Sequence, residues 1–247
     1  MKARLLIERD SIKDGQKTLN GAIHIQMPPD WHTYWRTSGD AGLPPTIDWN
    51  GSENMADIKI AWPTPERFDE KGYYTLGYKE QAMLPFTLSL KDTQQPLLLK
   101  ASISLLVCSE QCVPQKAEIE LNLPTGTGVP SAYRDDINRA FREVPHNGNL
   151  DDLKIENVTI GLDRLVVTAH DNRGISEDAD IFIEVPGISL ASPPYIEFNV
   201  EKPPIQSARF IIPAPQGINA LGAEITGKEM TITFRNRGRS IEKSFSF

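Results

Sequence analysis

The only two cysteines of the chain, Cys108 and Cys112, stand with three residues between them in Ile103-Ser-Leu-Leu-Val-Cys-Ser-Glu-Gln-Cys-Val-Pro114. Two thiols so close could exchange disulfides, because the mixed intermediate of thiolate attack needs a second thiol within reach to resolve it. A fully extended chain would hold Cα atoms four positions apart at about 13 Å, whereas a disulfide needs them within roughly 7 Å. If the pair closes, Ser109-Glu110-Gln111 must therefore turn. The ring would be so short that chain entropy gives only about 2 kcal/mol of stabilisation, in a chain long enough to bury ordinary cores. A second reading stays open: a small structural disulfide, or two buried thiols behaving as small hydrophobes.

Local context favours exchange. Leu105-Leu106-Val107 reads as a strand ending at Cys108, which would put the thiols at the rim of a rigid sheet. Pro114 cannot donate to a ladder and is expected at an edge or strand start, leaving that rim open to a partner. Glu110 would oppose a thiolate and Lys116 would favour it. Zinc needs four ligands, and the nearest histidine in sequence, His146, is 34 positions beyond Cys112. No metal or organic cofactor is expected. The alternative from another class is Cu(I), which soft thiolates select, held by Cys108 and Cys112 with His24, Met27 or His32. A third is a carbohydrate-binding module, since Trp31, Trp35, Trp49 and Trp62 all fall in the first half. Core packing is the ordinary fate of such rings. A hydrolase is a poor reading, with no Gly-x-Ser-x-Gly elbow and no His-Glu-x-x-His helix.

Composition narrows the partners. With 247 residues, 39% apolar and 24% charged, the chain is ordinary globular material for one or two domains. A net charge of -7, with no Lys/Arg cluster interleaved with aromatics, argues against nucleic acid. Lys100, Ser102 and Ser104 break the longest apolar run, so no membrane span is expected within this stretch. The first ten residues lack the apolar core and cleavage site of a signal peptide. The chain is then either cytosolic or an excised mature fragment. Two cysteines fit both a reducing compartment and an oxidising one where the pair is used for exchange.

The elements that must position the pair read mostly as strands. Ala3 to Arg9 and Leu19 to Met27 have period two, with Ile23, Ile25 and Met27 on one face and His24 and Gln26 on the other, joined by a Lys13-Asp14-Gly15 turn. Residues 31–45, with Gly39, Gly42 and Pro44-Pro45, read as a shaped loop. Ile47 to Trp49 and Ile58 to Trp62 are short strands. Phe68, Tyr73, Tyr74 and Tyr78 follow with neither helical nor strand spacing; they are loop aromatics tucked onto a core or a lid over a reactive group. Met83 to Leu90, Leu97 to Val107 and Ala117 to Leu123 complete a β-sandwich over 1–124. In the linker, 125–149, Ile137, Ala140, Phe141 and Val144 mark one short helix over 131–143. Period two returns over 150–247, including Ile181, Ile183 and Val185, Ile196, Phe198 and Val200, and Met230, Ile232 and Phe234: a second β-sandwich. Only His170 there has side-chain chemistry of note, and no site is expected.

The run Trp31-His-Thr-Tyr-Trp-Arg-Thr-Ser-Gly-Asp-Ala-Gly-Leu-Pro-Pro-Thr-Ile-Asp-Trp49, together with Trp62-Pro-Thr-Pro65 and Cys108-x-x-x-Cys112-Val-Pro114, resembles the N-terminal periplasmic region of transmembrane thiol-disulfide interchange proteins. It is most similar to the ScsB branch, named for suppression of copper sensitivity, of the DsbD family. The resemblance implies an all-β fold of two immunoglobulin-like sandwiches, a bacterial periplasmic location as the soluble part of an inner-membrane protein, and an electron relay. In such proteins a membrane domain reduces the N-terminal pair through a thioredoxin-like domain, and the pair then reduces thioredoxin-like periplasmic partners. By position the family cysteines fall on Cys108 and Cys112, with Cys112 forming the mixed disulfide and Cys108 resolving it. The family prototype spaces its cysteines more widely. Its acidic-aromatic cap loop corresponds in composition, not order, to Phe68, Asp69, Glu70, Tyr73 and Tyr74, which are the expected lid.

Overall fold

The structure is a computed structural model and describes residues 1–198 and 205–247. The chain folds into two compact units: Met1–Ser38, Gly42–Glu66 and Leu76–Val144 make the first, and Gly39–Ala41, Arg67–Thr75 and Pro145–Phe247 the second. The strands in order are β1 (Lys2–Ile7), β2 (Ile12–Lys13), β3 (Thr18–Gln26), β4 (His32–Gly39), β5 (Thr46–Asp48), β6 (Met55–Ile60), β7 (Glu66–Glu70), β8 (Tyr73–Lys79), β9 (Gln81–Leu90), β10 (Leu97–Cys108), β11 (Cys112–Leu123) and β12 (Thr125–Gly126), followed by helix α1 (Arg134–Glu143). They build a four-stranded sheet, β1-β3-β9-β6, and a larger one, β11-β10-β4-β8-β7, with β5 also paired to β10.

Strand β10 shows why the chain folds this way. Leu97, Leu99, Ala101, Ile103, Leu105 and Val107 are buried on the inner face, and the residues between them point outward as the pleat requires. Strand β11 pairs with it antiparallel over its full length, Leu97↔Leu123 through Cys108↔Cys112. It is the edge of the sheet, where Pro114 costs no ladder hydrogen bond.

Three strands fall where sequence periodicity indicates loops. Residues 32–39 form β4, next to β10 in the sheet, and the aromatic stretch after Trp62 forms β7 and β8. His32, Thr33, Tyr34 and Trp35 are all buried, so β4 is covered on both faces and carries no polar alternation to betray it. Gly77 allows β8 to lie close beside β4, because a Cβ there would stand 1.9 Å from the Thr33 carbonyl oxygen. Helix α1 lies on the four-stranded sheet: Ile137 packs with Leu6 and Ala22, and Met83 and Phe141 flank them. It buries the face of β3 that reads as solvent-exposed, so that His24 is only 6% exposed.

The second unit contains β13 (His146–Asn147), β14 (Leu153–Ile160), β15 (Arg164–Asp171), β16 (Asp180–Val185), β17 (Ile188–Ser189), β18 (Tyr195–Phe198), β19 (Ser207–Pro213), the short helix α2 (Leu221–Ile225), β20 (Glu229–Asn236) and β21 (Arg239–Ser246). Two sheets, β13-β21-β20-β16-β17 and β14-β15-β19-β18, enclose Ile181, Ile183, Phe210, Ile232 and Phe234. Ile196 and Phe198 lie on β18 as expected, and Val200 lies outside the described residues. The fold is all-β and immunoglobulin-like.

The buried His24 ring has a consequence for stability. Its Nδ1 accepts from Arg4 Nε at 3.1 Å, so the ring's proton sits on Nε2. Burial, then the Arg4 charge, pull its pKa below the ordinary histidine value, against weaker opposing pulls from Gln81 and Asp136. The unfolded chain therefore binds this proton more tightly than the native one, and stability falls as pH drops through the unfolded value of about 6.5. Thermal melts between about pH 7.5 and 5 should show a steeper loss for the native protein than for His24→Gln; equal slopes would remove His24 from the account.

Candidate functional site

The β10–β11 ladder aligns the two cysteines before any bond forms. Cys108 ends β10, Cys112 begins β11, and the register sets them directly opposite. The Ser109-Glu110-Gln111 turn joins them as a three-residue hairpin loop, with Ser109 N–H donating to the Gln111 carbonyl at 3.2 Å. The sulfurs are bonded at 2.09 Å, with the Cα atoms 4.0 Å apart. Alternation puts the sulfurs on the outer face of the sheet, in line with Leu106–Pro114 and Ser104–Lys116.

The two sulfurs are not equivalent. Cys108 is 1% exposed, whereas Cys112 is open to solvent. What covers Cys108 includes β4. Its His32 pairs with Cys108, so Tyr34, two residues on, rises from the same face. The Tyr34 hydroxyl lies 3.1 Å from Cys108 Sγ and 3.4 Å from Cys112 Sγ. Tyr34 is itself 1% exposed, with the His32 ring set edge-on at 5.5 Å. Gly42, at φ 84°, lies against its ring, where a Cβ would come within 2.2 Å of Cζ. Thr33 Oγ1 fastens β4 to β10 by donating to the Leu106 carbonyl at 2.8 Å. The phenol is thus a donor held ready for either sulfur, and a thiolate accepts such a bond more strongly than a disulfide sulfur does.

The expected lid residues occupy the β7–β8 hairpin. Lys71 and Gly72 at its tip both have positive φ, 59° and 96°, the signature of a tight two-residue turn. Asp69 Oδ1 accepts from Gly72 N–H at 3.0 Å, and Glu70 Oε1 from the Thr75 hydroxyl at 3.1 Å. Phe68, Glu70 and Tyr74 are half-buried; Asp69 and Tyr73 are exposed. The tip clusters with the second unit, where Arg67 Nη2 meets Asp180 Oδ1 at 2.9 Å and donates to the Ile181 carbonyl at 2.8 Å.

Of the residues named for copper beside the cysteines, His32 pairs with Cys108, while His24, Met27 and the tryptophans named for glycan are dispersed. His24 lies on β3 and His32 on β4, in different sheets, and Met27 follows β3. Among the described residues no three or more His, Cys, Asp or Glu side chains are grouped to hold a metal ion. Trp35 is fully buried beneath Arg36, whose guanidinium carbon is 4.4 Å from the ring centre. Trp49 packs edge-on against Phe86 at 5.7 Å, and Trp31 and Trp62 are half-buried.

An outer-face disulfide with one open sulfur, on an immunoglobulin-like sheet, defines a class of thiol-disulfide exchange domain. Residues 3–124 match the family described as "Thiol:disulfide interchange protein DsbD, N-terminal". The whole chain aligns with a solved structure, "Crystal structure of the N-terminal periplasmic domain of ScsB from Proteus mirabilis", over 91% of that chain, with a TM-score of 0.72 and 22% identity. A marsupial T cell receptor aligns at a TM-score of 0.28 and 8% identity, over all of both chains, too weakly to carry an argument. No curated protein matches the chain.

Removing the phenol hydroxyl tests its part. Tyr34→Phe should slow reduction of the disulfide by dithiothreitol about tenfold, the effect of one hydrogen bond to a charged sulfur, and should raise the Cys108 thiol pKa in the reduced protein. An unchanged rate and pKa would make Tyr34 a packing residue only.

Proposed function

We propose that this chain is the electron-relay module of a protein-disulfide reductase in the bacterial periplasm, as the soluble part of an inner-membrane protein. The exposed Cys112 beside the buried Cys108, with Tyr34 touching both sulfurs, is the observation that carries the reading. A reduced thioredoxin-like domain of the same full-length protein, itself recharged by the membrane domain, supplies a thiolate that attacks Cys112 Sγ. The Cys108–Cys112 bond breaks as the new sulfur–sulfur bond forms, and its electron pair leaves on Cys108 Sγ, stabilised by the Tyr34 hydroxyl. The donor's second thiolate then attacks its own partner sulfur in the mixed disulfide and releases Cys112. Two electrons and two protons have moved: the donor is now a disulfide, and Cys108 and Cys112 are thiols. The reverse sequence, opened by the Cys112 thiolate and resolved by Cys108, passes both electrons to an oxidised thioredoxin-like partner. No step calls for a metal or an organic cofactor.

In this reading the exchange domain is residues 1–124, the helix-bearing segment 125–149 is the connection, and 150–247 is a second sandwich. Phe68, Asp69, Glu70, Tyr73 and Tyr74 serve as the lid over the pair. The acidic and aromatic composition they share with the family's cap loop is what supports that role. The copper reading gains less support, since His24 Nδ1 is already taken by Arg4.

The test is a trap. In Cys108→Ala the resolving thiol is gone, so a thioredoxin-like partner should remain covalently attached to Cys112 and be recovered on non-reducing gels. Cys112→Ala should trap nothing. Equal trapping by both variants, or by neither, would overturn the assignment of roles.

A further inference from the structure

The outer face of the hairpin continues from the sulfurs into a groove. Leu106, Pro114 and Lys116 form one side; Leu43, Pro44 and Thr46 form the other, and about 600 Å³ lies between them. The second wall is fixed in place, because Thr46 and Ile47 pair with Ser104 and Ile103 of β10. The floor and walls are mainly apolar, and Leu43 is 64% exposed. Pro44 and Pro114 have no N–H, so neither offers a backbone donor to water or to a ligand at that point. Lys116, paired with Glu118 at 2.8 Å, closes the groove at its polar end.

Covalent geometry says what must cover this groove. A partner cysteine bonded to Cys112 has its Cα within roughly 7 Å of the Cys112 Cα. The Leu106–Pro114 pair lies two residues along the strands from the sulfurs on the same face, a distance of about 7 Å. The residues flanking the partner's cysteine therefore lie over the groove for as long as the mixed disulfide exists. Polar side chains held there would lose water without gaining partners, whereas an apolar side chain would bury itself and Leu43 together.

Resting on the exchange reading above, we infer that the groove seats an extended apolar segment beside the reactive cysteine of a thioredoxin-like partner, with one aliphatic or aromatic side chain entering between Leu43 and Leu106. The groove gives partner selection to a site whose chemistry alone has none. A small dithiol reaches Cys112 without touching Leu43 and is blind to it.

The oxidised protein is assayed with two reductants, thioredoxin and dithiothreitol. Leu43→Asp, at an exposed position, should raise the KM for thioredoxin about tenfold or more, the effect of losing a central anchor, with dithiothreitol reduction as in the native protein. Leu43→Ala should shift the KM in the same direction by less. An unchanged thioredoxin KM in both variants overturns the groove and leaves the exchange reading standing. Slowing of both reductants alike in Leu43→Asp also overturns it, as damage to the disulfide itself. A native protein that neither reductant can reduce sinks the exchange reading instead.

Discussion

The hairpin register is the constraint on which everything else depends. Twelve residues of β10 are paired in step with β11 down to Cys108 and Cys112, so the ladder, and not the bond, brings the sulfurs together. The bond closes so small a ring that it adds only about 2 kcal/mol. Ladder hydrogen bonds and the buried row from Leu97 to Val107 hold the strands regardless. A disulfide that contributes this little to its frame can open and close without the frame following. That separation of stability from chemistry is what thiol-disulfide interchange requires.

Asymmetry is the second layer, and it comes from β4. Because His32 pairs with Cys108, Tyr34 is placed over the sulfurs, and Gly42 makes room for its ring as no other residue could without displacing it. One sulfur is thereby sealed and given a hydrogen-bond donor, while the other is left at the sheet edge. In the proposed function, attack is directed to Cys112 and the leaving electron pair to Cys108. The edge position of β11, with Pro114 unable to extend a ladder, keeps the approach open on the same face that carries the groove.

The cysteines, the strand ending at Cys108, the edge character of Pro114 and the all-β architecture were legible in the sequence because each follows from local chemistry or period two. Tyr34 was not. It lies in a strand whose residues His32 to Trp35 are buried on both faces, so its sequence has no alternation, and the glycines and prolines after it suggest a loop. Residues 66–79 were obscured in the same way: aromatic and charged residues alternate irregularly, and the Lys71-Gly72 turn shows its type only through backbone angles. His24 reads as solvent-facing because α1, more than a hundred residues later, covers that face. In each case a long-range contact replaced a local signal. A feature that could have drawn attention to Tyr34 was its place inside the Trp31–Trp49 run that carries the family resemblance.

The most direct measurement is the rate at which each thiol of the fully reduced protein reacts with iodoacetamide, read by peptide mass spectrometry over a time course. With Cys108 sealed beneath Tyr34 and Cys112 at the open edge, Cys112 should be alkylated about a hundredfold faster, because access governs which thiol the reagent reaches. Equal labelling of the two, or faster labelling of Cys108, would contradict the account.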